Sequence, residues 1–145
     1  MRTDSVMLAS AIEAYEGRVA GTVFAKVACL YANQDDFTAI RFRNEQAEVM
    51  CDIDESCKEH VAQEGKNQVL HLMISKASYG EVRAALLWCK LLISKLLKKR
   101  FKLNPHDSCV ANKTINNNQC TICHHVDDTK VSYAELNVVE DVLNR

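Results

Sequence analysis

The chain has 145 residues, of which 48% are hydrophobic and 26% are charged, and its formal net charge is −1. This composition is typical of one globular domain and excludes a wholly disordered chain. The near-neutral charge excludes a strong overall basic field, although a local groove can still be basic. No apolar run approaches the roughly 20 residues needed to cross a bilayer. Because the first residues do not resemble a secretory signal, we expect an intracellular chain, cytoplasmic or nuclear, with no membrane partner.

The N-terminal segment is predicted to form a helix followed by a buried passage. Apolar residues recur at three- and four-residue spacing from Asp4 to Tyr15, which indicates a helix with one apolar face. Asp4 can cap this helix, and Gly17 can end it in a left-handed conformation. The run from Gly21 to Tyr31 suits a largely buried strand or a strand that leads into a helix.

The middle of the chain has the weakest pattern. Alternating apolar and polar residues predict a short strand from Phe37 to Phe42, with Phe37 and Ala39 facing inward. Residues 45–66 are acidic and irregular, and they suggest a loop that enters a short helix. Val69 to Met73 is a further strand candidate.

Residues Glu81 to Phe101 have the clearest helical pattern in the chain. Their apolar residues form one broad face, on which Trp88 is expected to be an ordinary core residue. The basic run from Lys95 to Lys102 could track phosphates. Cations at the end of a helix also offset its dipole and solvate its surface, which is the simpler explanation. The run leaves open a non-catalytic module that binds nucleic acid or a protein partner.

Two successive hairpins are predicted near the C-terminus. The segments 108–115 and 119–125 are expected to pair, because the three asparagines between them tolerate left-handed turns. A tight connection at 125–128 then leads to a strand over 129–132 and to a closing amphipathic helix over 134–143. The whole order predicts an α+β fold in which an antiparallel sheet is backed by two or three helices.

The cysteines and histidines of the second hairpin strand admit two metal-related interpretations. Cys120 and Cys123 followed by His124 match the pattern of covalent c-type haem attachment. A structural zinc site could draw its ligands from the same residues with His125 and Cys109. Alternate side chains of a strand point to opposite faces, so we expect Cys120 and Cys123 to face apart, which disfavours haem. The zinc interpretation lacks a second closely spaced cysteine pair.

Asp127 and Asp128 are the candidate metal ligands and catalytic residues of the chain. Polymerases use two Mg²⁺ ions, one to activate the primer hydroxyl and one to hold the triphosphate. Mg²⁺ prefers hard oxygen ligands, and carboxylates at a strand turn can supply them without burying unpaired charge. An isolated Asp-Asp pair is usually only a solvated turn, so the surrounding motifs decide its meaning.

Three blocks of the chain, in order, resemble the reverse transcriptases of copia-type retrotransposons. That family has an apolar-x-Asp-Asp turn, similar to Cys120-Thr-Ile-Cys-His-His-Val-Asp-Asp-Thr here, where His125 replaces the usual tyrosine. The family block Lys-Ala-Leu-Tyr-Gly-Leu-Lys-Gln-Ala-Pro-Arg-x-Trp is similar to Lys76-Ala-Ser-Tyr-Gly-Glu-Val-Arg-Ala-Ala-Leu-Leu-Trp88. Between these two blocks, the segment from Phe101 to Lys113 is also similar to the family's connecting segment. The remaining block comes first in the chain, from Val23 to Leu30.

The resemblance implies RNA-directed DNA polymerisation in a retrotransposon polyprotein, with Mg²⁺ or Mn²⁺ as cofactor. An RNA or DNA template-primer and a dNTP would then be its partners. Asp127 and Asp128 match the metal positions, and Lys76, Tyr79 and Gly80 match a block near the template and incoming nucleotide. Residues 1–145 would form an incomplete palm with a catalytic-turn hairpin, without the fingers, thumb and ribonuclease H parts.

The first block departs from the family at the position that matters most. The family's first catalytic aspartate lies in a segment similar to Val23-Phe-Ala-Lys-Val-Ala-Cys-Leu30, and its position is occupied here by Phe24. A benzyl group cannot coordinate Mg²⁺. Asp35 and Asp36 match an acidic patch beyond this strand and not the metal position. We therefore expect a degenerate, inactive copy.

Overall fold

The fold combines helices with two antiparallel sheets. The computed structural model describes residues 1–143, which contain four α-helices and eight strands. The helices are α1 (Thr3–Glu16), α2 (Glu45–Ile53), α3 (Ala84–Lys98) and α4 (Leu136–Leu143). The strands are β1 (Val19–Phe24), β2 (Ala39–Arg43), β3 (Val61–Glu64), β4 (Asn67–Met73), β5 (Lys102–Asn104), β6 (Asp107–Ile115), β7 (Asn118–His125) and β8 (Asp128–Tyr133). Short 3-10 helices lie at Ala28–Tyr31 and Glu55–His60.

The two sheets confirm the α+β class and add a feature that the sequence did not reveal. The larger sheet has five strands in the order β1-β8-β7-β6-β5, and the smaller has three in the order β2-β4-β3. All strand pairs are antiparallel. The sequence predicted one sheet, because the separation depends on which strands pair and pairing is not encoded in local periodicity. Within residues 1–143, no helix combines the length and apolar character needed to span a membrane.

The five-stranded sheet carries the main core on one of its faces. Ile122 and Val131 are opposite each other in the register of β7 and β8, and both are buried beneath Val139 of α4 and Leu96 of α3. On the other face, Ala9 of α1 packs against Val110 and Cys123. Since side chains alternate along each strand, helices on both faces can bury every residue from Cys120 to His124.

The β6–β7 hairpin is the best-predicted part of the fold. Its turn residues Asn116 and Asn117 have φ angles of 47° and 64°, and Ile115 pairs with Asn118 at the end of the ladder. Asparagine tolerates such left-handed conformations better than other non-glycine residues, as a two-residue hairpin turn requires. The buried Tyr133 of β8 stabilises the same end, because its hydroxyl donates a hydrogen bond of 2.6 Å to the Ile115 carbonyl.

The acidic segment 45–66 is more regular than predicted. It forms α2, the second 3-10 helix and β3, and Cys51 and Cys57 are buried with Leu70 of β4. The Asp54 side chain accepts a hydrogen bond from the Ser56 amide and so caps the 3-10 helix. The prediction missed this order because the acidic residues face water while a few small apolar residues face the small sheet.

The predicted inward faces of two N-terminal elements are wrong. On α1, Leu8 and Tyr15 are 63% and 92% exposed. The helix ends at the left-handed Gly17 as expected, but it begins at Thr3, so Asp4 lies within its first turn and does not cap it. Phe37 is 83% exposed, and Ala39 is also on the surface. These side chains lie at the surface, whereas Ala9, the neighbour of Leu8, is buried.

Helix α3 is shorter than predicted at both ends. It begins at Ala84, and Val82, which was predicted on its apolar face, is fully exposed. It ends at Lys98 because Arg100 takes a left-handed φ of 65° and turns the chain into β5. Trp88 is buried, as predicted.

Candidate active site

The predicted catalytic turn is a tight connection between β7 and β8. His125 and Asp128 form the last pair of the ladder, so Val126 and Asp127 are the two turn residues. Val126 has a φ of 50°, which is rare for a β-branched residue and costs backbone strain. Asp127 is half-buried, whereas Asp128 is exposed at the start of β8.

Two hydrogen bonds from distant parts of the chain hold this strained turn. The indole Nε1 of Trp88 donates to the Val126 carbonyl, and the Ala25 amide donates to the Asp127 carbonyl at 2.8 Å. Trp88 therefore positions the turn in addition to filling the core. The sequence contained no sign of this role, because the indole and the carbonyl that it binds are 38 residues apart.

Phe24 lies directly beside the predicted metal ligands. It is the last residue of β1, where it pairs with Asp128, the first residue of β8. Directly opposite residues of an antiparallel pair project from the same face of the sheet. The Phe24 side chain is 56% exposed, so an apolar ring occupies surface next to the Asp128 carboxylate.

The 3-10 helix Ala28–Tyr31 joins the turn to the block that precedes α3. Cys29 is buried with Ala77 of that block and with Leu87 of α3. Burial raises the pKa of the Cys29 thiol, and the nearby negative charge of Asp127 raises it further. Cys29 is thus kept as a neutral thiol under the turn, where it contributes packing and no reactive thiolate.

The remaining residues of the candidate site lie at the surface near this packing cluster. Lys76 donates a hydrogen bond of 2.6 Å to the Asn33 side chain and forms an isolated bridge with the same residue. Tyr79 is 52% exposed. Gly80 has a φ of 93°, a conformation that favours glycine, in the turn before α3. The structure places Lys76 against Asn33 and does not pair it with either aspartate of the turn.

Asp35 and Asp36 belong to a separate ion-pair network. The Arg83 guanidinium pairs with both carboxylates, and its distance to the Asp35 Oδ1 is 3.0 Å. The Lys90 ammonium approaches Asp35 at 3.8 Å. These contacts attach the loop before β2 to the start of α3, so the two carboxylates are already engaged away from the turn.

The donor set around the turn does not fit a two-metal centre. Within residues 1–143, no group of three or more histidine, cysteine, aspartate or glutamate side chains is arranged to hold a metal ion. Asp127 and Asp128 supply carboxylates from one turn, and the adjacent strand adds Phe24 instead of a third. No metal-dependent step is therefore assigned to this site.

The zinc and haem interpretations require residues that the sheet separates. Cys120 belongs to the core beneath α4, while Cys123 packs against Ala9 of α1 on the opposite face. One metal ion or one porphyrin edge cannot reach both sulfurs across a sheet. Burial raises the pKa of both thiols, which also disfavours the thiolate that zinc requires.

Comparisons with protein-family models, with curated proteins and with solved structures give no match to this chain. The geometry of the turn and the resemblance of the three sequence blocks are therefore the grounds on which a function can be proposed.

Proposed function

We propose that this chain is a partial palm of a copia-type reverse transcriptase that has lost its polymerase activity. The observation that carries the proposal is the pairing of Phe24 with Asp128. The resemblance assigns a missing catalytic aspartate to position 24 from sequence alone, and this residue lies on the strand beside the Asp-Asp turn. A random resemblance would have no reason to bring these two distant blocks together.

Two further features support the proposal. The block from Lys76 to Trp88 also reaches this site, because the Trp88 indole donates a hydrogen bond to the Val126 carbonyl in the Asp-Asp turn. The turn also retains the strained Val126 backbone, and strain of this kind is concentrated at functional sites. The three blocks are thus neighbours in space, as parts of one ancestral site would be.

Loss of activity follows from the chemistry of position 24. A two-metal centre uses carboxylates to place both ions between the attacking and leaving oxygens. Replacing one ligand by a benzyl group removes a negative charge and an oxygen donor at the point where positive charge must be held. We expect the chain to extend no primer on an RNA template with Mg²⁺ or Mn²⁺.

Restoring the carboxylate tests the proposed site. We expect Phe24→Asp to tighten Mn²⁺ binding by at least about tenfold over the parent, because one added ligand charge at short range contributes more than 1.4 kcal/mol. Manganese binding can be followed by electron paramagnetic resonance, together with primer extension. Thr22→Asp is the matched control, since residue 22 lies on the same strand and the same face but two positions from the turn.

Two results would contradict the proposal. If Phe24→Asp and Thr22→Asp bind Mn²⁺ equally, position 24 does not belong to a metal site. If the parent extends a primer and Asp127→Asn/Asp128→Asn does not, the chain is an active polymerase whose site is built without a ligand at position 24.

A further inference from the structure

A basic groove lies at the end of the molecule where α3 ends, remote from the Asp-Asp turn. The groove has a volume of about 540 Å³ and is lined by Arg100, Lys102, Asn112, Lys113, Thr114 and Gln119. This lining contains three cations and no acidic residue. An adjoining hollow shares Lys113 and adds Lys99, and it also includes Asp141. The local charge is therefore strongly positive although the chain as a whole has a net charge of −1.

The cations of the groove are not used in the ion pairs of the fold. Across residues 1–143, the ion pairs within 4.0 Å engage neither Arg100, Lys102 nor Lys113. They engage other cations instead: Arg2, Arg18, Arg41, Lys58, Arg83, Lys90 and Lys130. Like charges gathered without counter-charges repel one another, so a groove of this kind is more stable when an anion occupies it.

The helix dipole does not account for this clustering. Cations in the last turn of a helix offset its partial negative charge, and that explanation covers Lys95 and Lys98 of α3. Lys102 and Lys113 lie on β5 and β6, where Lys102 pairs with Asn112, the neighbour of Lys113. Lys102 and Lys113 are 4 and 15 residues beyond Lys98, the last residue of α3, so the pairing of the two strands and not the local sequence brings these cations to the helix end.

Arg100 provides a second, independent observation. Its amide donates to the Leu97 carbonyl and the following amide donates to the Leu96 carbonyl, which closes α3 with Arg100 in the left-handed conformation. Glycine is the usual residue at this position because it adopts a positive φ without strain. An arginine here places a cation in the groove at the expense of local backbone stability, as is common for residues with a functional role.

The lining of the groove indicates which part of a nucleic acid would bind. Phe101 is buried, and the Lys113 ammonium lies 5.5 Å from the centre of its ring, so this aromatic ring is not available for base stacking. Single-stranded nucleic acids are held largely by such stacking. Thr114 and the three cations are instead the side-chain types that contact phosphate oxygens. We propose that this groove binds the phosphate backbone of a nucleic-acid duplex without reading its sequence.

The proposal does not depend on the polymerase assignment. Trp88, near the start of α3, contacts the turn, whereas Arg100 lies beyond the helix end. Gln119 of the groove and Val126 of the turn lie at opposite ends of β7, and an extended strand rises by about 3.3 Å per residue, so the groove and the turn are about 20 Å apart. A substitution in the groove should therefore leave the structure of the turn unchanged, and a substitution in the turn should leave the structure of the groove unchanged.

Fluorescence anisotropy with a labelled 20-base-pair DNA duplex of random sequence tests the groove. With three phosphate contacts, we expect the affinity of the parent to fall about 40-fold between 50 and 200 mM salt. Arg100→Gln/Lys102→Gln/Lys113→Gln should weaken binding at 50 mM by at least about tenfold and flatten its salt dependence. Arg43→Gln/Lys58→Gln/Lys66→Gln removes the same charge from exposed positions around the small sheet and should have less than about a threefold effect.

A single substitution separates binding from folding. Arg100→Gly relieves the left-handed strain, so it should unfold at the same or a higher urea concentration and yet bind the duplex more weakly. Absence of duplex binding at 50 mM salt, equal losses in the two triple variants, or binding to vesicles of anionic phospholipid without duplex binding would overturn the proposal.

Discussion

At the scale of single residues, the Asp-Asp turn depends on side chains that local sequence does not connect to it. A non-glycine residue in the left-handed region costs about 1–3 kcal/mol and persists only where the surroundings hold it. Val126 is held by the indole of Trp88 at its own carbonyl and by the Ala25 amide at the next carbonyl. Packing and these two hydrogen bonds therefore maintain the turn geometry without a metal ion.

His124 is a second residue whose environment has a measurable consequence. It is 2% exposed, and its Nε2 atom has no hydrogen-bond partner in the described part of the chain. Burial lowers the pKa of His124 below its ordinary value of 6.5, since a buried imidazolium loses its hydration. The folded state thus holds a neutral imidazole at a pH where the unfolded chain binds a proton.

We expect the free energy of unfolding to decrease as the pH falls below 6.5, by up to about 1.4 kcal/mol per pH unit from this residue. Above pH 6.5 neither the folded nor the unfolded state protonates His124, so this loss of stability is absent there. His124→Phe should flatten the dependence between pH 6.5 and 5, measured by urea unfolding. His60→Gln, which removes an exposed imidazole, is the matched control. An equal slope in the parent and in His124→Phe would contradict the assignment.

At the scale of elements, the position of α4 on the sheet depends on one glycine in the edge strand. Gly21 pairs with Val131, and a Cβ atom at position 21 would lie 2.8 Å from side-chain carbons of both Val139 and Leu143 of α4. Real Cβ contacts are essentially never that short, so α4 approaches β1 only because this Cβ is missing. The close approach buries Val139 over the centre of the sheet.

Gly21→Ala should lower the free energy of unfolding by about 1–3 kcal/mol, because the added methyl group must displace packed side chains. Elsewhere in an extended strand the same change stabilises by about 0.4–1 kcal/mol, since alanine restricts the unfolded chain. Urea unfolding therefore distinguishes the two cases. A lower free energy of unfolding in Gly21→Ala indicates that α4 packs directly against position 21, and a higher one indicates that it does not.

The neighbouring Ala20→Ser serves as the control for Gly21→Ala, because Ala20 is exposed on the opposite face of β1, and it should change stability by less than about 0.5 kcal/mol. A stabilised Gly21→Ala would show that α4 lies farther from the sheet than the structure places it.

At the scale of the whole molecule, the chain forms two packing units around two sheets. The small unit spans β2 to β4, and the chain enters and leaves it at adjacent points, since the Ile74 amide donates to the Thr38 carbonyl at 2.9 Å. Its buried cluster of Ala47, Cys51, Cys57 and Leu70 is separate from the clusters of the five-stranded sheet. A unit with its own small core and closely spaced ends can open without disturbing the rest.

We expect Leu70→Ala to accelerate amide hydrogen exchange in β2 to β4 and leave β6 to β8 unchanged. Leu70 is fully buried, so the truncation costs about 2–5 kcal/mol, all of it within the small unit. Val131→Ala is the reciprocal change in the five-stranded sheet and should accelerate exchange in β6 to β8. Exchange that accelerates in both sheets after either change would show that the two units unfold together.

Several local elements of this protein can be predicted from its amino-acid sequence. The bounds of α1 and α4, the β6–β7 hairpin with its asparagine turn and the tight connection at Val126 and Asp127 follow from helix periodicity and turn residues. These features depend on neighbours within a few positions, so a single sequence contains the information. The resemblance likewise depends on short contiguous blocks.

The contacts between these elements depend on the folded chain as a whole. The tertiary structure paired Phe24 with Asp128, brought Trp88 to the Val126 carbonyl and added Lys113 to the cations at the end of α3. It also exposed Phe37, whose pattern predicted burial. Each of these outcomes depends on strand pairing or helix docking between residues far apart in the chain, and the free energy of such contacts is not expressed in local periodicity.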